Sequence, residues 1–322
     1  MKRSAFIVSI ALAAVFAASS ALAFSDKPVR LIVPAPPGGT MDVFARAISD
    51  QLAQEIGQPV IVDNRPGAGG AIAVKYMLSQ PADGSALLVT ATNVLTEVPH
   101  TLKVDFDPLK DVKPVAQMAR SELLFIASPE FPARDVKETI AYVKAHPGKV
   151  SVASYSPGTA SQYASAILNR QAGIDLVHVP FAGSPPALTQ VMGNQIPLMF
   201  DGAVTSKPMI AGGKIKLLAV AYKNRLPEFH NTPTMAELGY PDIDFANWVG
   251  VFASARTPPA LIEKIYATLT RINALPAVRE RYASTGLDVV EDKRTPQQLE
   301  SDLRAEFERN GEIVKTYGIQ QN

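Results

Sequence analysis

The 322 residues carry 31 Lys and Arg against 30 Asp and Glu, a formal charge of +1, and 47% of them are hydrophobic. No basic run or aromatic-basic alternation stands out, which excludes the electrostatic footprint of a nucleic-acid binder. There is no cysteine, so disulfides and a lipoprotein anchor are excluded as well, and the length suffices for two domains.

The chain opens on "MKRSAFIVSIALAAVFAASSALA". Lys2 and Arg3 give a basic start, an apolar run follows, and Ala21-Leu22-Ala23 supplies an A-x-A cleavage pattern. Residues 1–23 therefore read as a signal peptide removed on export. A membrane anchor is the weaker reading, because the run barely reaches spanning length, is diluted by Ser and Ala, and ends in the cleavage pattern. Losing Lys2 and Arg3 takes the charge just below neutral. The mature protein is expected in the periplasm.

From residue 29 to about residue 222, short apolar runs alternate with helix-period stretches. The runs are "VRLIV", "PVIVDN", "ALLVTAT", "LLFIAS", "VSVASYS", "LVHVPF", "IPLMFDG" and "IKLLAVA". Nearly continuous apolar character suits strands covered on both faces of a mostly parallel sheet. In "TMDVFARAISDQLAQEIG", Phe44, Ala47, Ile48, Leu52 and Ile56 share one helical face, with Thr40 placed to cap the start and Gly57 the end. Beyond residue 255 the pattern is helical. This order predicts an α/β architecture. Two lobes are expected, 24–121 with 247–322 as lobe I and 122–246 as lobe II. The chain is expected to cross between them near "VAQMARSEL" (115–123) and "FANWVG" (245–250).

Four glycine-bearing turns fall between a strand and a helix: "PAPPGGTMD", "NRPGAGGAIA", "SYSPGTASQ" and "PFAGSPPALT". That is the edge at which open α/β sheets bind ligands. A helix start offers unpaired N–H groups and partial positive charge to an anion, glycine admits a ligand to the main chain, and Ser154, Ser156, Thr159 and Ser184 add donors. Any one turn reads as an ordinary cap; four on one edge point to a site. Neither glycine-rich turn has the lysine of a P-loop, and Ile72 stands where a dinucleotide fingerprint needs glycine. His100, His146, His178 and His230 are scattered without a zinc motif, and no G-x-S-x-G elbow occurs. No metal, cofactor or catalysis is expected.

Asp42 has two readings: a first-turn acid favoured by the helix dipole, or a carboxylate that fixes the glycine loop or holds a water beside the ligand. Asp201 closes a buried strand, where an acid must be hydrogen-bonded, and orders a turn at the cleft. His178, inside an apolar strand, reads as a hydrogen-bonded core histidine. Trp248 serves either as core packing or as a roof over the ligand. The rival from another class is an exported hydrolase with a triad of Ser156 or Ser184, His178 and Asp201.

The segments "KPVRLIVPAPPGGTMDVFARAISDQLAQEIGQPVIVDNRPGAGG", "HPGKVSVASYSPGTASQ", "VHVPFAGSPPALTQVMGNQIPLMFD", "AGGKIKLLAVA" and "PTMAELGYPDIDFANWVGVFA" carry a resemblance. In that order they resemble the tripartite tricarboxylate transporter receptors, or Bug-type periplasmic solute-binding proteins, from about residue 26 to the C-terminus. The resemblance implies a two-lobe, type II-like Venus flytrap with two crossover strands, acting as a monomer. It implies capture of a small di- or tricarboxylate or aromatic acid in the interlobe cleft and delivery to membrane permease subunits. A sensor kinase is the alternative partner. Carried over by position, it nominates Pro37, Gly38, Gly39, Thr40 and Asp42, then Ala68 and Gly69, then Ser156, Gly158 and Thr159, and finally Phe181, Gly183 and Asp201; Trp248 completes the candidates. Three stretches depart from the family pattern. Ser156-Pro157-Gly158-Thr159 replaces Gly-Asn-Gly-Thr, with the histidine that follows replaced near Gln162. Phe181-Ala182-Gly183 replaces Tyr-Lys-Gly, and Asp201-Gly202 replaces Asp-Asn. The second lobe's wall is thereby less polar, which implies a ligand with an apolar or aromatic portion between polar ends.

Overall fold

A computed structural model describes residues 26–285, 287–290 and 294–319. The signal-peptide reading for 1–23 lies outside these residues. No helix among the described residues is long and apolar enough to cross a membrane.

Strand β1 (Val29–Val33) is buried except at Arg30, because both its faces are covered. It pairs in parallel with β2 (Val60–Asn64) and β3 (Ala86–Ala91). The crossover helix α1 (Thr40–Ile56) buries Phe44, Ile48, Leu52 and Ile56, the face that the spacing predicts, and ends at Gly57 in the left-handed conformation. Helices α2 (Ala71–Ser79), α3 (Asn93–Thr96) and α4 (Val98–Thr101) follow along the same lobe.

Strand β4 (Val112–Ala127) is longer than the expected run and belongs to two sheets. Its first part pairs antiparallel with β9 (Ala246–Ser254), down to Glu122 opposite Ala246. From Leu123 onward it pairs with β7 (Leu198–Gly202) on one side and β8 (Lys216–Ala221) on the other. The register to β9 shifts beside Pro114, which lacks the N–H that a regular ladder needs. The side chains alternate as a strand requires: Leu123, Phe125 and Ala127 enter one core, Leu124 and Ile126 the other.

The second lobe adds α5 (Val136–Ala145), β5 (Val150–Ser154), α6 (Ala160–Ala172), β6 (Leu176–Pro180), α7 (Ser184–Met192) and α8 (Ala203–Ala211). Its sheet runs β8-β4-β7-β5-β6, with β5 parallel to both β6 and β7. The first lobe's sheet runs β2-β1-β3-β9-β4. Two helices, α9 (Pro259–Ala274) and α10 (Pro276–Thr285), cover one face of it, and β10 (Asp288–Val289) pairs with β4. The last helix, α11 (Pro296–Tyr317), starts in a Thr295–Gln298 capping box. Its Leu299 and Leu303 join the first lobe's core, whereas Ile313, Val314 and Tyr317 pack on the second lobe's. The fold is the two-lobed α/β architecture expected, with a sheet and two cores in each lobe.

Candidate ligand site between the lobes

A cavity lies where β4 and β9 pass from one lobe to the other. Gly39, Thr40 and Gly69 line it from the first lobe, and Ser121, Glu122 and Asn247 from the crossing strands. The second lobe contributes Ser156 and Thr159, Gly183 and Ser184, and Asp201 with Gly202. Tyr155, Phe245 and Leu123 give it an apolar flank. No lysine or arginine lines it among the described residues.

Four helices open at this wall: α1 after Gly39, α6 after Thr159, α7 after Gly183 and α8 after Gly202. None of the four has a side-chain N-cap. By contrast α5 and α11 are capped by Asp135 and Thr295. Thr40, expected to cap α1, is instead its first helical residue and lines the cavity, because Gly39 takes the N-cap position. The starts of α1, α7 and α8 therefore converge with amides that no capping side chain claims, the arrangement that attracts an anion, whereas the first amides of α6 face the Glu97 carboxyl and the Tyr155 hydroxyl.

Asp42 does not line the cavity. Its carboxylate accepts from the Gly38 N–H at 2.9 Å, from Asn64 Nδ2 at 2.9 Å and from Arg46 Nε at 3.0 Å, so it ties the glycine turn from behind. Burial is the largest influence on this carboxyl and pushes it up. The hydrogen bonds from Arg46, Gly38 and Asn64, with the guanidinium charge, outweigh it and hold the group below the ordinary range. We expect Asp42→Ala to loosen the turn and weaken ligand binding about tenfold, the loss of roughly one charge-assisted hydrogen-bond set, as isothermal titration calorimetry would read. With its folded value lowered, the Asp42 contribution to stability is present above the ordinary carboxylate range. It is lost as pH falls through the lowered value, so the wild type's advantage over this variant shrinks in acid.

Asp201 is fully buried and accepts from Ser184 Oγ at 2.6 Å, Thr205 Oγ1 at 2.7 Å and Ser206 Oγ at 2.7 Å. Burial raises its carboxyl above the ordinary range although the three hydroxyls and the Gly202 amide pull it down. The cluster stitches the starts of α7 and α8 together at the cavity wall.

The lobes touch across the cavity's rim. A Cβ on Gly183 would stand 2.4 Å from the Pro36 ring, and one on Gly158 would stand 2.4 Å from Thr101 Oγ1. The Tyr163 hydroxyl on α6 donates to the Glu97 carbonyl at 2.8 Å. These contacts define a closed arrangement.

The profile of the "Tripartite tricarboxylate transporter family receptor" matches residues 44–319. The chain belongs to that receptor family. The structure of MatC from Rhodopseudomonas palustris with bound malate superposes with TM-score 0.85 at 31% identity, covering 90% of this chain and 99% of that one. The R. palustris structure with adipate gives TM-score 0.87 at 27% identity, over 92% of this chain and 99% of that one. The periplasmic binding protein BugD gives 0.87 at 28%, with the same coverages of 92% and 99%. The resemblance carried by the glycine turns is borne out, and the family is one of solute-binding receptors, not enzymes.

Of the residues nominated in this receptor, Gly39, Thr40, Gly69, Ser156, Thr159, Gly183 and Asp201 line the cavity. Pro37, Gly38 and Ala68 lie on the exposed side of their turns. Gly158 backs onto Thr101, and Phe181 packs against a core of the second lobe. Trp248 stacks on Phe252 at 5.1 Å in the first lobe's core rather than roofing the cavity, a place taken by Tyr155 and Phe245. The hydrolase constellation is split: Ser184 pairs with Asp201, whereas His178 Nε2 pairs with Ser154 Oγ at 2.7 Å. Asn93, Ser121, Glu122 and Asn247 also line the cavity without having been nominated. The available signal was a polar residue within an otherwise apolar crossing strand, as Asn247 is in "FANWVG".

Proposed function

We propose that the receptor captures a small organic carboxylate between its lobes in the periplasm and presents it to a tripartite permease in the membrane. The observation that carries this reading is the convergence of uncapped helix N-termini on a cavity that no cationic side chain lines. Each charge-assisted hydrogen bond to a carboxylate is worth about 1.5–3 kcal/mol. About four to six of them cover the roughly 8 kcal/mol of micromolar binding after ordering costs. Hinged closure then follows as a population shift, with residues 24–121 and 247–322 moving against 122–246. Cleavage of residues 1–23 would release the receptor into the periplasm.

The malate and adipate named for the related structures support a carboxylate as the ligand. Tyr155, Phe245 and Leu123 favour a solute with an apolar centre between two polar ends. Thermal-shift screening against malate, citrate, adipate and terephthalate tests this. A ligand present at one hundred times its dissociation constant adds about 2.7 kcal/mol, a rise of about 5–10 °C. Adipate or terephthalate should give the largest rise; a response to citrate alone would overturn the assignment of an apolar centre.

A further inference from the structure

Glu97, between α3 and α4, is 1% exposed and does not line the cavity. Its Oε1 accepts from Asn247 Nδ2 at 3.2 Å, and Asn247 does line it. From the other lobe, the backbone N–H of Ala160, the first residue of α6, faces the same carboxyl. The Tyr163 hydroxyl, one turn along α6, donates to the Glu97 carbonyl. Oε2 is buried and no donor reaches it among the described residues. A buried acid of one lobe thus abuts a helix of the other, which holds its main chain through Tyr163, and one of its carboxyl oxygens has no protein donor among the described residues. Ionised, that oxygen would carry negative charge without a donor; neutral, it costs far less.

The groups around it point the same way. Glu306 on α11, whose own carboxyl burial raises above the ordinary range, faces Glu97 as a second acid and accepts from Thr92 Oγ1 at 2.8 Å, while Arg309 on the same helix opposes it from the exposed side. Tyr155 and Tyr163 face it from the second lobe as neutral phenols, both driven above their ordinary range by burial. Burial, and then the Glu306 charge, push the Glu97 carboxyl up to about 8 against the pull of Asn247, Ala160 and Arg309.

We propose that Glu97 is a positioning residue that takes a proton from solvent as the lobes close, so that ligand capture by this receptor is proton-linked. The inference rests on closure over a carboxylate as proposed above. When the lobes part, α6 withdraws, water reaches the carboxyl, and its proton affinity falls. The closed state holds the proton more tightly, so association is strongest below the open-state value. It weakens, by at most tenfold per pH unit, as pH rises through about 8.

Calorimetric titration with adipate at pH 7 in buffers of different ionisation enthalpy counts the protons taken up. Wild type should take up a fraction approaching one, and Glu97→Gln, which keeps the shape of the neutral acid, none. Zero uptake in wild type, or equal uptake in the variant, overturns the inference. Small-angle scattering of the ligand-free receptor is the second readout. The wild-type radius of gyration should be larger at pH 9 than at pH 6, and that of Glu97→Gln the same at both. A wild-type radius that ignores pH overturns the inference. Adipate failing to bind overturns only the proposed ligand.

Discussion

Gly183→Ala is expected to abolish closure and lower carboxylate affinity about 100-fold or more while leaving the fold intact. The new methyl carbon would stand 2.4 Å from Pro36 Cδ and Cγ, well inside any real contact, and Pro36 belongs to the opposite lobe. The backbone adds to the effect, because Gly183 sits at φ 125 and ψ 164, a region almost closed to residues with a Cβ. The strain acts whether the lobes are open or closed; the clash acts only in the closed form. Affinity depends on the difference between those states, so the clash is read in binding and the strain in stability. A loss of about 2.7 kcal/mol from the closed form alone accounts for 100-fold. Gly57→Ala is the control. It too replaces a left-handed glycine, at φ 65, but its Cβ meets nothing within 4 Å. It should cost about 1–2 kcal/mol of stability and leave calorimetric affinity unchanged. Equal affinities for the Gly183 variant and wild type would show that the rim contact plays no part in capture.

The second large effect is on stability. Asp201→Ala removes the common acceptor of Ser184, Thr205 and Ser206, three hydroxyls in buried surroundings. Each orphaned donor costs about 1–3 kcal/mol. Thr205 retains the Gly202 carbonyl at 3.0 Å, and Ser184 retains Thr205 Oγ1 at 2.9 Å, so the total should be about 3–5 kcal/mol rather than the full sum. The melting temperature should drop by about 10 °C. The deficit has a definite pH dependence. The Asp201 carboxyl is raised in the folded protein, so its contribution is fully present below the unfolded value and is lost as pH rises through the folded one. Urea midpoints should therefore separate wild type from variant more at pH 4.5 than at pH 8. A gap that widens with pH would mean that the buried carboxylate is charged and paired, against the assignment made here.

The strands and crossover helices were legible because they depend on local periodicity. "VRLIV" and "TMDVFARAISDQLAQEI" each carry their pattern within a few residues, and β1 and α1 follow them. The glycine turns were legible as a set for the same reason. What escaped was set by tertiary pairing. β4 passes from one sheet to the other at Leu123, inside the stretch expected to cross (115–123), but nothing in "VAQMARSELLFIA" announces which strands flank it on either side. Trp248 presents the same signature whether its ring turns to the core or to the cavity; stacking on Phe252 decides it. Asp42 stayed ambiguous until Asn64, twenty-two positions away, was seen to share its carboxylate with Gly38. Asn247 reads as one polar residue in an apolar strand, and its role emerges only from its bonds to Thr92 and Glu97, far away in the chain.

A strand that serves two sheets has a thermodynamic consequence. If one half came apart alone, β4 would lose the partners it has on that half's side of Leu123, and that stretch would hang from the surviving sheet as an unpaired extension. The helix α11, seated on both cores, would lose half its footing in the same event. Separate melting is thereby penalised twice over, and the molecule, although bilobed, should lose its structure in one cooperative step.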